Sequence, residues 1–441
     1  MAKHVIAQSD YHVRARTISG THEDKLEQID TAIQELLDIK LAECVDVDRE
    51  EDSNVRFLAV PSRSHGRAMF LAILVMLVLL VWLLSTRTAK AQTIEFSPQL
   101  HAGAFVDVGH LKDFNSPSNH LFRTRGTTPR VDELDLNMAA AYVKKTVTVS
   151  SRWGLEATIQ GGRDSQVFGF SATAPNLSGA DWLRRLGLTN VSYLAPAGRG
   201  LTLQGGIFSS FIGYDSLYAK DSFAYTRPWT ADFTPYLMLG VTGSYPVTDR
   251  LTVAGFVVNG YWHLAHANDV PSVGGQMAYA LTPHVTLKQT ALYGPHQRDT
   301  SIDRWRLLSD TIVERKVGRL TTAGELQLSS ETVAHPGARA SWIAAQAPIH
   351  VALTGPWSVT LRPELARDRS GRWTGVSQTV IAMTSGLEYR KPAGAAQIIL
   401  RAEHRYDHSS GDGAGFFKDE GVTPGQHLFV VAVIVGVERT R

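Results

Sequence analysis

Residues 398–407 read IILRAEHRYD, and this stretch decides how the rest of the chain is read. Arg401, Glu403, Arg405 and Asp407 occupy every second position, which is the period of a β-strand and not of a helix. Four charges on one strand face need surroundings that solvate them. Leu400, Ala402, His404 and Tyr406 point the other way and are mostly apolar.

The same alternation recurs along the chain. In WSVTLRPEL, Trp357, Val359, Leu361, Pro363 and Leu365 oppose Ser358, Thr360, Arg362 and Glu364. RWGLEATIQ sets Trp153, Leu155, Ala157 and Ile159 against Arg152, Gly154, Glu156, Thr158 and Gln160. DELDLNMAAAY places Leu134, Leu136, Met138, Ala140 and Tyr142 opposite Glu133, Asp135 and Asn137. HLFVVAVIVGV, residues 427–437, is the exception, apolar on both faces. About sixteen such segments lie between residues 94 and 439.

Seven connections are tight and mostly carry Pro or Gly, such as APAGRG, PVTDR and RKPAGA. They alternate with longer ones, such as 109–129, 165–181, 213–234 and 409–425. Short turns at one end and long loops at the other describe an all-β, up-and-down antiparallel barrel. In a bacterial outer membrane the short turns are periplasmic and the long loops external. About sixteen strands enclose an aqueous channel. The charged face then looks into a water-filled lumen and the apolar face meets lipid, the inverse of a soluble β-sandwich. Arg362, Glu364, Arg401, Glu403, Arg405 and Asp407 are the pore-lining candidates. His404 is the misfit on the lipid side. Trp153, Trp182, Tyr193, Trp262, Tyr293, Trp342, Trp357, Tyr389 and Tyr406 are candidates for the aromatic girdles.

Upstream of the barrel, Met69–Leu84 carry no polar side chain; Arg63 and Arg67 precede them, and Ala89 and Ala91 follow as an A-x-A site. This arrangement reads as a secretory signal peptide over 69–91, cleaved after Ala91 to leave the barrel as 92–441. The competing reading is a single transmembrane helix. Residues 1–68 are a polar extension, explained either by a translation start nearer the signal or by a cytoplasmic domain on a signal anchor. Cys44 is the single cysteine of the 441 residues, which excludes a disulfide framework and multi-cysteine metal sites. The formal net charge of +2, without clustered Lys and Arg, argues against a nucleic-acid partner.

One stretch, GGIFSSFIGYDSLYAKDSFAYTRPWTADFTPYLMLGVTGSYPVTDRLTVAGFVVNGYWHL, resembles the OmpL-like class of β-barrel porins. The shared features are Gly213-Tyr214-Asp215 after a Gly-bearing strand and Tyr225-Thr226-Arg227 in the loop. Pro235 and Gly240 open the next strand, and Asn259-Gly260-Tyr261 follows. The resemblance implies an outer-membrane barrel that admits small solutes by diffusion, with no cofactor and no catalytic residue. Its partners would be outer-membrane lipid and small hydrophilic solutes. Homotrimers are common among sixteen-strand porins, though no interface signature is visible. The chain departs from outer-membrane barrels in ending VGVERTR rather than on an aromatic residue.

The loop 213–234 carries Asp215, Lys220, Asp221 and Arg227. Folded inward, these would narrow the pore and set selectivity as charged rings do; folded outward, they form a solvated external loop. His263, His266 and Asp269 end a strand rather than share a helix face, a poor metal set. His404, His408, Ser409 and Asp412 suggest a hydrolase by proximity alone, without an oriented base or an oxyanion site. Two alternatives to a passive porin stand: a barrel acting as enzyme or adhesin through its loops, and a secreted soluble β-sandwich.

Overall fold

The structure is a computed structural model, and it describes residues 100–167, 180–260, 264, 270–295, 304–333 and 339–440. The expected signal peptide with Ala89 and Ala91, the extension 1–68, and Trp262, His263, His266 and Asp269 lie outside the described residues.

In chain order the strands begin with β1 (Leu100–Asp113), β2 (Leu134–Lys145), β3 (Trp153–Gly161), β4 (Thr189–Ala195) and β5 (Leu201–Ser209). Next come β6 (Leu237–Pro246), β7 (Leu251–Val258), β8 (Ser272–Thr282), β9 (Val285–Pro295) and β10 (Trp305–Val317). They continue with β11 (Leu320–Thr332), β12 (Arg339–Gln346), β13 (Ile349–Ala352), β14 (Trp357–Asp368) and β15 (Gln378–Ala393). The last are β16 (Ala396–Ser410), the hairpin β17 (Phe416–Lys418) with β18 (Gly421–Thr423), and β19 (Gly425–Thr440).

Every strand of the large sheet pairs antiparallel with the next in sequence, β12 and β13 excepted, and β19 pairs with both β16 and β1. The sheet therefore closes on itself, which leaves no free edge to pair with another chain. β12 and β13 are two segments of one stave, split at Ala347-Pro348 and paired with β11 and β14 on either side. The 17 strands of this sheet thus make a sixteen-stave barrel.

The polarity is inverted relative to a soluble domain. On β14, Trp357, Val359, Leu361 and Leu365 are exposed, whereas Ser358, Thr360, Arg362 and Glu364 are buried. On β16, Leu400 is 42% exposed and Arg405 is 0% exposed. The apolar side chains form the outer wall and the charged ones the inside, the arrangement a barrel in lipid requires. A slip of one residue would turn every buried charge outward, so the pattern also fixes register.

Two aromatic pairs mark the turn end of the wall: Trp153 with Tyr193 at 4.6 Å and Trp357 with Tyr389 at 4.8 Å between ring centroids. Tyr293 and Trp305, 5.0 Å apart, mark the loop end. Trp182 is exposed but sits in a 3-10 turn, Ala180–Arg185, not on a strand. Trp342 is not a girdle residue. It is 1% exposed and faces inward, packed against Phe233 and Trp373. On β2 a bulge opposite Asp107 and Val108 shifts the register, so Met138 and Asn137 are both buried inside while Leu136 stays on the outer wall. The single face expected for Leu134, Leu136 and Met138 is broken there, because a bulge admits one extra residue.

Candidate functional site

The connection from β5 to β6 does not project outward. Residues 222–238 are buried almost without interruption, Phe223 excepted, and the segment crosses the barrel interior. Its entry is set by Phe211, whose carbonyl accepts hydrogen bonds from Gln276 Nε2 at 2.7 Å and Thr290 Oγ1 at 2.8 Å. Gly213 then turns with φ +90°, in the left-handed region that favours glycine, and its N–H donates to Asp310 at 2.8 Å.

The inner face of β14, β15 and β16 supplies most of the polar anchorage. Arg401 donates to the carbonyls of Ala219, Ser222 and Ala224 and pairs with Glu388 at 2.7 Å. Glu403 accepts the N–H of Tyr225 at 2.6 Å, the N–H of Thr226 at 3.1 Å and the Thr226 hydroxyl. Arg405 lies between Glu364 and Asp407, 2.8 Å from each. Trp229 donates its backbone N–H to Glu364 at 2.8 Å and its indole N–H to Asp407 at 2.9 Å. Arg362 pairs with Glu364 at 2.9 Å and donates to the Thr226 carbonyl at 2.8 Å. Charge-assisted bonds of this kind are short and roughly twice as strong as neutral ones.

All six residues expected to line the pore point inward, yet none meets open solvent, because the loop covers them. A ladder bathed in water is replaced by a ladder that grips protein. The physical reason is that buried guanidinium and carboxylate groups need partners, and the loop backbone supplies donors and carbonyls that a smooth wall lacks.

The four loop candidates separate by environment. Arg227 is 0% exposed and folds back onto its own loop, donating to the carbonyls of Ser216, Leu217 and Tyr225. Asp164, in the 3-10 turn Arg163–Val167, approaches it at 3.6 Å. Burial pushes the Asp164 carboxyl up to about 7, against the opposing pull of Arg227. Asp215 accepts from Gln346 at 2.7 Å and lies 4.0 Å from Arg362. Lys220 and Asp221 pair with each other at 2.8 Å, and Asp221 is exposed.

Several anchors carried no signal that sequence reading used. Tyr225 donates to Asp107 at 2.8 Å and accepts from Asn137 at 2.7 Å, tying the loop to β1 and β2. Asp107, an acid inside the apolar inner row of Phe105 and Leu111, is the visible hint. Arg125 and Asp232 form a fully buried pair at 2.8 Å, with the Arg125 guanidinium 4.9 Å from the Trp229 ring. Thr230 donates to Glu325 on β11 at 2.9 Å. The doubly apolar 427–437 stretch is also explained: Leu428, Val430, Ala432 and Ile434 form one cluster with Leu217, Tyr218, Ala219 and Tyr225 of the loop. That strand presents apolar side chains to the outer wall and to packed protein inside.

Below the loop, toward the tight turns, are two cavities of about 450 and about 310 Å³ that share Asp221, Ser222 and Phe223. The smaller is also lined by Lys288, Glu314 and Lys316, the larger by His350, Glu388 and Arg390. Among the described residues no group of three His, Cys, Asp or Glu is placed to hold a metal. His404 faces outward, where its Nε2 lies 3.2 Å from His427 Nδ1, which gives the misfit a polar partner. Ser409 faces inward and donates to Gln378 at 2.6 Å, while His404 and His408 are exposed on the opposite face. The hydrolase constellation is therefore not assembled.

A closed barrel with charges inside is matched over residues 99–436 by the model of the family described as "Putative beta-barrel porin-2, OmpL-like". The chain belongs to this family. It is a porin-family β-barrel of the outer membrane. No curated protein sequence matches it. Among solved structures, it is similar to the anion-selective porin from Comamonas acidovorans, with a TM-score of 0.49, 10% identity, and 77% of this chain and 99% of that chain covered. It is also similar to OmpF of Salmonella typhi in complex with daunomycin, with a TM-score of 0.48, 10% identity, and 78% and 99% covered. A third is the outer-membrane channel DcaP of Acinetobacter baumannii, with a TM-score of 0.47, 10% identity, and 77% and 96% covered. The OmpL-like barrel thus carries its inward loop between β5 and β6, within the residues that the family model matches.

Proposed function

We propose that this OmpL-like porin passes small hydrophilic solutes and ions by passive diffusion, without catalysis and without a cofactor. The observation that carries the reading is the inverted polarity of a closed wall, with apolar side chains outside and polar ones inside. A water-excluding core needs no such inner face. The partners proposed are the surrounding outer-membrane lipid and the solutes, with a homotrimer as the assembly.

Loop 213–234 is proposed to set the width of the passage. Planar-bilayer recordings of the purified protein are expected to show discrete conductance steps, and the absence of steps would overturn the porin reading. Arg227→Ala removes the clasp that ties the loop to three of its own carbonyls, so the steps should become larger and noisier. Conductance and reversal potential unchanged by that substitution would take the loop out of the passage.

Export is proposed through residues 69–91. The mature protein recovered from outer-membrane fractions should begin at Gln92 on N-terminal sequencing. A mature chain that begins within 1–68 would replace the cleaved signal with an anchor.

A further inference from the structure

The inner wall opposite the charged ladder has a different character. Cross-strand neighbours form rows there. Thr252, Ala278 and Lys288 make one row; Ser244, Ala254, Gln276 and Thr290 make the next, nearer the loop end. These side chains are small or polar. Lys288 is exposed to solvent although it points into the barrel, and it lines the smaller cavity below the loop. The turn-side row of this wall therefore reaches solvent at Lys288.

One row further the surface changes. Phe256, Gly274, Leu292 and Leu308 follow in register, and Phe256, Leu292 and Leu308 form a buried apolar cluster inside the barrel with Phe208, Met238, Val258 and Ile212. Phe211 of the loop closes over it. Its ring stacks on Phe256 at 4.9 Å and 4° and meets Phe208 edge-on at 6.1 Å. Gly274 provides the seat for Phe256, since a Cβ there would come within 2.2 Å of the ring. Phe211 stands at the loop's entry, two residues before the turn at Gly213.

The two sides of the lumen are thus closed differently. On the ladder side, ion pairs and backbone bonds hold the loop to the wall. On this side no ion pair anchors the loop among the described residues: it is held through the Phe211 carbonyl, by hydrogen bonds from the Gly213 N–H to Asp310 and from the Tyr214 hydroxyl to Glu314 at 2.7 Å, and by apolar ring contacts. We propose that the solute passage runs along β5–β10, and that Phe208, Phe211 and Phe256 form an apolar gate across it. Water fills the passage from the periplasmic side up to the gate and is excluded at the rings, as hydrophobic constrictions exclude it. A swing of Phe211 away from Phe256 opens the way. This inference rests on the porin reading.

Bilayer recordings of the full chain with Phe211→Ala and Phe256→Ala combined test it. Unitary conductance is expected to rise roughly two-fold or more, because hydrophobic constrictions set the conducting width. Phe211→Leu, a milder variant should the double one fail to fold, should give a smaller rise. A second readout uses single cysteines on a Cys44→Ser background. Ala278→Cys, in the row of Lys288, should react quickly with a charged thiol reagent. Val258→Cys, inside the cluster, should react only once the two phenylalanines are removed. Steps in the wild type that neither variant changes, with Val258→Cys labelled as quickly as Ala278→Cys, overturn the gate and leave the porin reading standing. No steps from any of these proteins overturn the porin reading and the gate with it.

Discussion

Arg405→Met is expected to destabilise the barrel by about 3–5 kcal/mol, the cost of breaking a buried ion pair by removing one partner. Arg405 is fully buried and bonds both Glu364 and Asp407, so its loss strands two carboxylates in the interior. Each of those carboxylates also holds Trp229, and Glu364 is shared with Arg362. The damage should therefore spread to the loop. Lysine is a poor substitute, because a point charge cannot make the fork-shaped contact that a guanidinium makes with two acids. Urea denaturation of the refolded protein in detergent measures the loss, and the same preparation should show release of the loop as increased proteolysis near Arg227. Replacing Arg405, Glu364 and Asp407 together by apolar residues of similar volume should recover only part of the stability, since the buried Arg362 then loses its Glu364 partner and both N–H groups of Trp229 lose their acceptors. A single substitution that costs less than about 1 kcal/mol would mean the triad behaves like a surface pair and is reached by water.

The wall of this barrel was legible because its chemistry is local. Arg362 and Glu364 on β14 and Arg401 to Asp407 on β16 alternate with apolar residues inside a few positions of sequence, and period two admits one structure. The loop was not legible in the same way. Residues 210–236 carry no period, and their burial depends on Asp107, Glu364, Arg401 and Glu403, which are distant in sequence and meet only when the barrel closes. For the same reason the inward charges could be assigned a face but not a covering. Trp342 shows the limit of patterning. On β12, Ala340, Trp342 and Ala344 form one apolar row and Ile343 belongs to the other, so periodicity shows which residues share a face without showing which face meets lipid. Bulges add a second kind of miss: one extra residue at Asn137 reverses the remainder of β2 with no mark in composition.

The lipid-facing assignment makes its own large demand, on an outer-wall residue remote from the loop. Leu361 lies four residues along β14 from the girdle residue Trp357. At ~3.3 Å per residue on a strand tilted ~40°, that places it roughly 10 Å inside an apolar band ~25 Å tall, close to the bilayer midplane. Leu361→Arg should cost about 2–4 kcal/mol in phospholipid vesicles, whereas an arginine at Trp357, near the interface, should lose only about 0–1 kcal/mol through its charge. The dependence on depth is the discriminating feature. A leucine on the watered surface of a soluble protein would accept arginine with little change at either position, and so would a wall solvated on its outside. Leu361→Ala separates charge from lost volume, because it removes apolar surface without adding an ion. Unfolding free energies measured in vesicles should then order as wild type, Leu361→Ala and Leu361→Arg from most to least stable. Equal stabilities for the arginine and alanine variants would place this wall in contact with water and remove the physical basis for reading the chain as a membrane channel.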